Sequence, residues 1–304
     1  MALVGGSRAA PAAATRTAGP APAPPPPERA GRRRPAPRAR TRGARASSAA
    51  AVVPSGGGGL VRGADGVGAP AHLAVIMDGH RRWALANGYR AERGYERGVG
   101  ALRTCIECCR ARGVRALTVF AFSLDNFARS DAEVGFLMGL MEDCVKRELA
   151  ELHRNGVRLH FVGDARALPA SLRAALAEAE ARTAGNSALH VSVCLAYSGQ
   201  RDILRVAREL ALEASEGRLR PEEISERLIG DRLATGFLPR ELGLPSRPDL
   251  LLRTGGQLRL SNFLLWETAY TELCFLDKMW PDLVEEDLLV AFRDYASRQR
   301  RFGA

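Results

Sequence analysis

Lysine is almost absent from this chain: its 304 residues include only Lys146 and Lys278, so nearly all of its 44 basic residues are arginine. The glycine-rich patterns typical of nucleotide sites are missing too. A P-loop requires G-x-x-x-x-G-K followed by Ser or Thr, and a dinucleotide-binding turn requires G-x-G-x-x-G. Neither pattern occurs, so the sequence disfavours nucleoside triphosphate chemistry and NAD binding.

Complete zinc sites and membrane spans are also missing. The six cysteines include a C-x-x-C at Cys105 and Cys108. No second C-x-x-C or histidine pair completes a set of four zinc ligands. We therefore expect reduced cysteines that serve as small core residues. No run approaches the roughly 20 apolar residues that cross a bilayer.

Acidic residues are scarce only at the amino-terminal end. Up to Arg62 the chain holds eleven arginines and a single acid, Glu28, which accounts for the whole formal charge of +10. The remainder has 33 basic and 33 acidic residues. Because the folded part is neutral, we expect no nucleic-acid partner.

Residues 1–70 are rich in Ala, Pro, Arg and Gly and lack apolar periodicity, so we expect a disordered transit peptide and linker there. An arginine-rich, acid-poor leader is typical of an organelle transit peptide, and it lacks the apolar core of a secretory signal. The expected destination is a plastid (chloroplast), with a mitochondrion as the alternative. A plain disordered tail and a nucleic-acid-binding arm are the other readings of this leader.

Residues 71–304 alternate between apolar runs and helical patterns, which indicates one α/β domain. The predicted strands are 73–77, 117–123, 157–163, 189–197, 249–255 and 272–276, and the predicted helices lie at about 95–112, 131–154, 171–182, 202–214 and 285–300. Continuous apolar strands between helices predict a central, mainly parallel six-stranded sheet flanked by helices.

Polar residues follow four of these strands, at the edge where parallel sheets bind ligands. Asp78 ends the first strand, and the segments 123–129, 197–201 and 253–261 follow three others. A carboxylate beside Gly79 and two arginines suits a magnesium ion shared with a diphosphate. The alternative is a helix N-cap aspartate beside two solvated arginines.

A second group of anion ligands surrounds the Gly255-Gly256 turn. Arg253, Arg259 and Ser261 can converge on a diphosphate, since guanidinium groups bind phosphate oxygens in a fork geometry. A surface salt bridge for Arg259 and a plain turn are the alternatives. Glu272, further along the chain, can reach a metal ion or a partner group.

The helix that starts at Asp131 has an unusually apolar face. It carries Leu137, Leu140 and Met141, with gaps at Gly135 and Gly139, and Ala121 lies on the neighbouring strand. A channel for a hydrocarbon tail could form between these elements, although ordinary core packing is the simpler explanation.

Five motifs together carry a family resemblance: MDGHRRWA, FAFSLDNFARS, LAYSGQRD, RTGGQLRLSNFLLWETAYTEL and the terminal RRFG. Over residues 72–303 the chain resembles the cis-prenyltransferases, the family of undecaprenyl and dehydrodolichyl diphosphate synthases, in their plant plastid form. The resemblance implies a single catalytic domain, 71–304, with a hydrophobic tunnel beside the sheet. It also implies a homodimer, or a heterodimer with a related subunit.

The implied reaction condenses isopentenyl diphosphate with an allylic prenyl diphosphate to give a Z-polyprenyl diphosphate, with Mg²⁺ as cofactor. The implied catalytic residues are Asp78 and Asn126, and the implied magnesium ligands are Asp78 and Glu272. A peripheral membrane contact would follow from the lipid product. The alternative is a catalytically weak partner subunit of a heteromeric enzyme.

The resemblance also assigns substrate contacts and tunnel residues. The implied substrate-binding residues are Gly79, His80, Arg81, Arg82, Trp83, Tyr95, Ser123, Phe127, Arg129, Arg253, Arg259, Ser261, Arg301 and Gly303, and the implied tunnel residues are Ala121, Leu137, Leu140 and Met141. Arg301 and Gly303 would reach the diphosphate of a neighbouring subunit. Because an amide is a poor base, we expect Asn126 to orient a proton acceptor.

Two departures from the family pattern lie beside the allylic diphosphate. His80 stands where asparagine is usual, and Tyr95 replaces the usual histidine. These two replacements are expected to alter the rate, the primer preference and the metal dependence of the reaction. The acid Asp78 and the arginines of the two proposed diphosphate sites are retained.

Overall fold

The computed structural model describes residues 60–62 and 68–299. Two short antiparallel strands, β1 (Leu60–Arg62) and β2 (Gly68–Pro70), come first. The folded part therefore begins before residue 71, within the segment expected to be disordered. The rest of the expected transit peptide lies outside the described residues.

The central sheet has six strands, and every pairing in it is parallel. Its strands are β3 (His72–Ile76), β4 (Ala116–Ser123), β5 (Val157–Val162), β6 (Leu189–Tyr197), β7 (Leu250–Arg253) and β8 (Glu272–Phe275). Their order across the sheet is β5-β6-β4-β3-β7-β8. The predicted α/β fold is confirmed, and each predicted strand exists.

Both faces of the sheet are buried, as continuous apolar strands require. Along β3, Leu73 and Val75 join one hydrophobic cluster, whereas Ala74 and Ile76 join another. This alternation follows from the two-residue period of a strand. A single apolar run therefore supplies both layers of the core.

Eight α-helices occur in the described ranges: α1 (His80–Ala86), α2 (Ala91–Ala111), α3 (Asp131–Arg154), α4 (Ala170–Thr183), α5 (Gly199–Ser215), α6 (Glu226–Arg232), α7 (Phe237–Leu242) and α8 (Glu285–Ser297). The hydroxyl of Ser130 caps α3 by accepting from Glu133 N at 3.3 Å. The helix ends at Arg154 with Asn155 as its C-cap, and Gly156 follows in a left-handed conformation.

The cysteines are free thiols, and Cys105, Cys108 and Cys109 are buried in the core between α2 and the sheet. The described residues contain no group of three or more His, Cys, Asp or Glu side chains that could hold a metal ion. Burial confirms the core role predicted for Cys105, Cys108 and Cys109, whereas Cys144 and Cys274 are partly exposed. None of the helices described here combines the length and apolar character needed to cross a bilayer.

Candidate active site

Asp78 lies at the carboxyl edge of the sheet, directly after β3. Its backbone is held on both sides by one hydroxyl that the sequence analysis missed. Asp78 N donates to Thr254 Oγ1 at 3.0 Å, and Thr254 Oγ1 donates to Asp78 O at 2.8 Å. Since Thr254 follows the neighbouring strand β7, the ends of the two strands are fixed together.

The Asp78 carboxylate bridges two arginines that are distant in sequence. Arg253 Nη2 donates to Asp78 Oδ2 at 2.8 Å, and Arg82 Nη2 donates to Asp78 Oδ1 at 3.1 Å. Partial burial favours a raised pKa for Asp78, but the hydrogen bonds and charges of Arg253 and Arg82 outweigh it and lower the pKa. The acid is therefore ionised at neutral pH.

Gly255 permits the close approach of these groups. It has a φ of +83°, and a Cβ there would lie 2.6 Å from Arg82 Nη2. Arg82 Nη1 also donates to Gly255 O at 2.6 Å. A side chain at this position would push Arg82 away from Asp78, so the turn needs glycine for space as well as conformation.

The loop after β7 brings Ser261 to the same site. Arg253 Nη1 donates to Ser261 Oγ at 2.8 Å and also contacts the carbonyl of Arg259. Ser261 and Asn262 have φ values of 51° and 64°, which cost energy in residues other than glycine. Asn262, also missed from sequence, stabilises this shape by donating to Ser198 Oγ at 2.8 Å.

His80 and Tyr95, the two departures from the family pattern, contact each other. Their rings stack with centroids 5.1 Å apart. Burial lowers the pKa of His80 to about 4 and raises the pKa of Tyr95 to about 12. Both rings are thus neutral at physiological pH.

Glu133 joins this pair to the surrounding arginines. It accepts from Tyr95 Oη at 2.8 Å and from Arg129 Nη1 at 3.0 Å, and Arg81 lies 3.7 Å away. Glu133 also belongs to the capping turn of α3, where its backbone N donates to Ser130 Oγ. The same residue therefore contributes to the start of the helix and to the site.

Asn126 and Ser123 form reciprocal hydrogen bonds around the short 3₁₀ helix that follows β4 (Leu124–Ala128). Asn126 N donates to Ser123 Oγ at 3.2 Å, and Ser123 N donates to Asn126 Oδ1 at 3.1 Å. Because the amide oxygen is occupied as an acceptor, the amide nitrogen of Asn126 is oriented as a donor at the cavity wall.

A cavity of about 800 Å³ opens at Asp78 and runs between α2, α3 and the sheet. The expected site residues that line it are Asp78, His80, Tyr95, Ser123, Asn126, Arg129, Arg253, Arg259 and Ser261, and the expected tunnel residues Ala121, Leu137, Leu140 and Met141 line it as well. Gly135 and Gly139 do not. They line a separate groove on the outer side of α3, so the expected gaps lie outside the cavity.

Several expected substrate contacts lie beside the cavity lining. Gly79 precedes α1, where a Cβ would meet Met279 Sδ at 2.7 Å, and Arg81 is exposed at the rim. Trp83 Nε1 donates to Asp282 Oδ1 at 2.7 Å. Phe127 packs its ring edge against Phe122 in the core.

Glu272 is not brought to Asp78 within one chain, contrary to the expected shared metal site. It is the first residue of β8 and pairs in register with Leu250, which pairs with Leu73. Asp78 lies five residues beyond Leu73, roughly 16 Å along the strand direction. Glu272 instead accepts from Arg298 at 2.9 Å. Arg301 and Gly303 lie outside the described residues.

Known proteins similar to this chain share one activity class. The prenyltransferase family model described as undecaprenyl diphosphate synthase matches residues 76–303. A farnesyl-diphosphate-specific ditrans,polycis-undecaprenyl-diphosphate synthase of Pseudomonas putida is 46% identical over 234 residues, which cover 77% of this chain and 90% of the relative. A chloroplastic dehydrodolichyl diphosphate synthase of Solanum lycopersicum is 45% identical, with 77% and 73% covered.

The solved structures that resemble this chain are also prenyl diphosphate synthases. Lavandulyl diphosphate synthase from Lavandula x intermedia, in complex with dimethylallyl diphosphate, has a TM-score of 0.73 and 37% identity, and the match covers 78% of this chain and 99% of that one. A probable undecaprenyl diphosphate synthase from Campylobacter jejuni has a TM-score of 0.63 and 30% identity, with 77% and 98% covered.

Proposed function

The chain belongs to the undecaprenyl diphosphate synthase family and is a cis-prenyltransferase, and we propose that the Asp78 cluster brings its two diphosphate substrates together. The enzyme condenses isopentenyl diphosphate with an allylic prenyl diphosphate to form a Z-polyprenyl diphosphate. The terminal alkene carbon of isopentenyl diphosphate bonds to the allylic C1. The C1–O bond to diphosphate breaks, and loss of a proton leaves the new double bond.

One observation carries the proposal: the two oxygens of Asp78 bind arginines from two different segments. Arg82, with Gly79 and Arg81, is proposed to bind the allylic diphosphate, with His80, Trp83 and Tyr95 shaping its pocket. Arg253, Arg259 and Ser261 are proposed to bind isopentenyl diphosphate. Asp78 would then stand between the two diphosphates, and the cavity beside it would take the growing hydrocarbon.

The residues at Asp78 fit magnesium. Mg²⁺ commonly takes one or two protein carboxylates and fills its remaining positions with phosphate oxygens and water, so it does not need the three-ligand cluster that the described residues lack. We propose that Asp78 holds Mg²⁺ together with substrate diphosphate oxygens. The bound ion would neutralise negative charge on the diphosphate.

The protein's own contribution is positioning and charge neutralisation. Arg82 and Arg253 are held by Asp78 before substrate binds, so less reorganisation is needed when negative charge grows on the leaving diphosphate. Asn126 is proposed to orient the proton acceptor, a phosphate oxygen, through its amide nitrogen. Its amide oxygen is already bound to Ser123 N. Ser123, Phe127 and Arg129 are proposed to support that wall of the site.

A role for Glu272 at the metal needs a second copy of the chain, because within one chain the residue lies at the other end of the sheet. We propose a dimer, homomeric or with a related subunit, in which Glu272, Arg301 and Gly303 act across the interface.

We also propose import into a plastid, with a mitochondrion as the alternative. A peripheral membrane contact would arise through the lipid product.

The test is incorporation of labelled isopentenyl diphosphate with a geranyl or farnesyl diphosphate primer, with and without magnesium. The purified full chain should form labelled polyprenyl diphosphate, and Asp78→Ala should retain the fold by circular dichroism but lose nearly all turnover. An inactive wild-type protein that activates a co-expressed relative would instead identify a partner subunit, which the comparisons do not favour. Comparable turnover in Asp78→Ala would refute the role of Asp78.

A further inference from the structure

A bidentate ion pair connects α2 to α3 along the wall of the cavity. Arg103 of α2 donates to Glu148 of α3 from Nη2 at 2.7 Å and from Nε at 3.1 Å. The side chain of Glu148 is 18% exposed and that of Arg103 is 48% exposed, so the carboxylate is the shielded partner of the pair. A two-point contact of this kind also fixes the relative orientation of the helices.

The same two residues separate two cavities. The cavity that starts at Asp78 and the outer groove between α2 and α3, of about 850 Å³, are both lined by Val99, Arg103, Leu140 and Glu148. Arg103 and Glu148 therefore form part of the partition between an apolar interior and a polar, open groove. Separation of the two helices here would join the two volumes.

The polarity of the cavity lining changes near Arg103 and Glu148. Nearer the diphosphate site its helical walls present Leu102, Leu137 and Met141. Further along α2 and α3 the walls are mixed, with the charged residues Glu107, Arg110 and Glu151 beside the apolar residues Ile106, Val145 and Leu152. A hydrocarbon tail gains free energy in the apolar section. Beyond it, the tail would have to displace water from charged groups, which is unfavourable.

We propose that the Arg103–Glu148 pair limits product chain length by holding the cavity wall closed between α2 and α3. The inference rests on the proposed function, since it concerns the product of that reaction. While the pair is intact, a growing chain is confined to the apolar section. When the pair is lost, α3 can move from α2, which widens the cavity beside Val99 and Leu140 and makes room for more of the tail.

The test compares product distributions by chromatography against polyprenol standards for Arg103→Gln, Glu148→Gln and the charge-exchanged double variant Arg103→Glu/Glu148→Arg. Each single variant should shift products toward longer chains by whole isoprene units. The double variant should return the distribution toward that of the wild type. A purely stabilising pair would change the thermal midpoint without changing product length.

Lys146→Gln is the matched control, because Lys146 pairs with Glu142 within α3 and its side chain is 57% exposed outside the cavity. Its products should match the wild type. If the wild type is active and both single variants keep its distribution, the proposed limit on length is wrong. If the wild type incorporates no label, it is the proposed function that fails.

Discussion

The side chain of Arg253 connects three parts of the site. It is 4% exposed, and it binds Asp78 through one terminal nitrogen and Ser261 through the other. A lysine carries its three N–H donors on a single nitrogen and cannot place donors at two separate positions as the guanidinium group does. This explains why a chain with only two lysines places arginine here.

Arg253→Ala should mainly raise the Michaelis constant for isopentenyl diphosphate. Loss of a charged hydrogen-bonding contact costs about 1.5–3 kcal/mol, which corresponds to a reduction of roughly 10- to 150-fold in kcat/KM. Steady-state kinetics with each substrate varied in turn would measure this. Arg227→Ala, at a position 91% exposed on α6, should behave like the wild type. An effect confined to the allylic primer would contradict the assignment.

At single residues, sequence reasoning found the groups with obvious chemistry and missed those that position them. Asp78 and Arg253 stood out as a carboxylate and a guanidinium after apolar strands. Thr254 and Asn262 act through hydrogen bonds between segments more than 60 residues apart, and such contacts leave no local pattern. Glu133 lies at a helix start, and a glutamate there is already explained by helix capping.

At the scale of elements, continuous apolar strands and capped helices were predictable to within a few residues. The strand 189–197 agrees at both ends with β6. The short strands β1 and β2 were not predictable, since three residues in a glycine-rich stretch have no periodicity and depend on each other for pairing. Helices α6 and α7 lie in a polar segment whose pattern was equally weak.

The packing of α3 against β4 decides which residues can affect product length. Ala121 on β4 lines the cavity, whereas Gly139 on α3 faces the outer groove. Ala121→Leu should therefore shorten the product, because the larger side chain occupies space that the tail needs. Gly139→Ala, where a Cβ meets nothing within 4 Å, is the matched control and should leave product length unchanged. Chromatography of the labelled products would show both, and an unchanged length in Ala121→Leu would place the tail elsewhere.

For the whole molecule, the strand order explains how distant segments form one site. β3 lies between β4 and β7, so the turns that follow these three strands meet at one edge. The strand register places Arg253 beside Ile76, close to Asp78, at the carboxyl end of β3. The same register places Glu272, the first residue of β8, level with Leu250 and Leu73 at the amino end of the sheet, away from Asp78. The sequence predicted the edge but could not give the register.

Stability of the whole molecule should depend on pH through its buried histidines. Burial lowers the pKa of both His72 and His80 to about 4, against about 6.5 in an unfolded chain. Between these values the unfolded chain binds protons that the folded protein does not, so stability is complete above pH 6.5 and falls as the pH drops toward 4. At pH 5.5 each of the two histidines should lower the free energy of unfolding by about 1.5 kcal/mol.

Urea unfolding of the full chain at pH 7.5 and pH 5.5 would measure the effect. The free energy of unfolding should be lower at pH 5.5, by about 3 kcal/mol from His72 and His80 together and further through His160 and His190, whose pKa values are also lowered by burial. His80→Asn should remove about 1.5 kcal/mol of the difference. Asparagine is the matched choice because it is a polar side chain that does not titrate. Equal stability at the two pH values would mean that these imidazoles reach water in the folded protein, and the stacked rings of His80 and Tyr95 would then be open to solvent rather than buried.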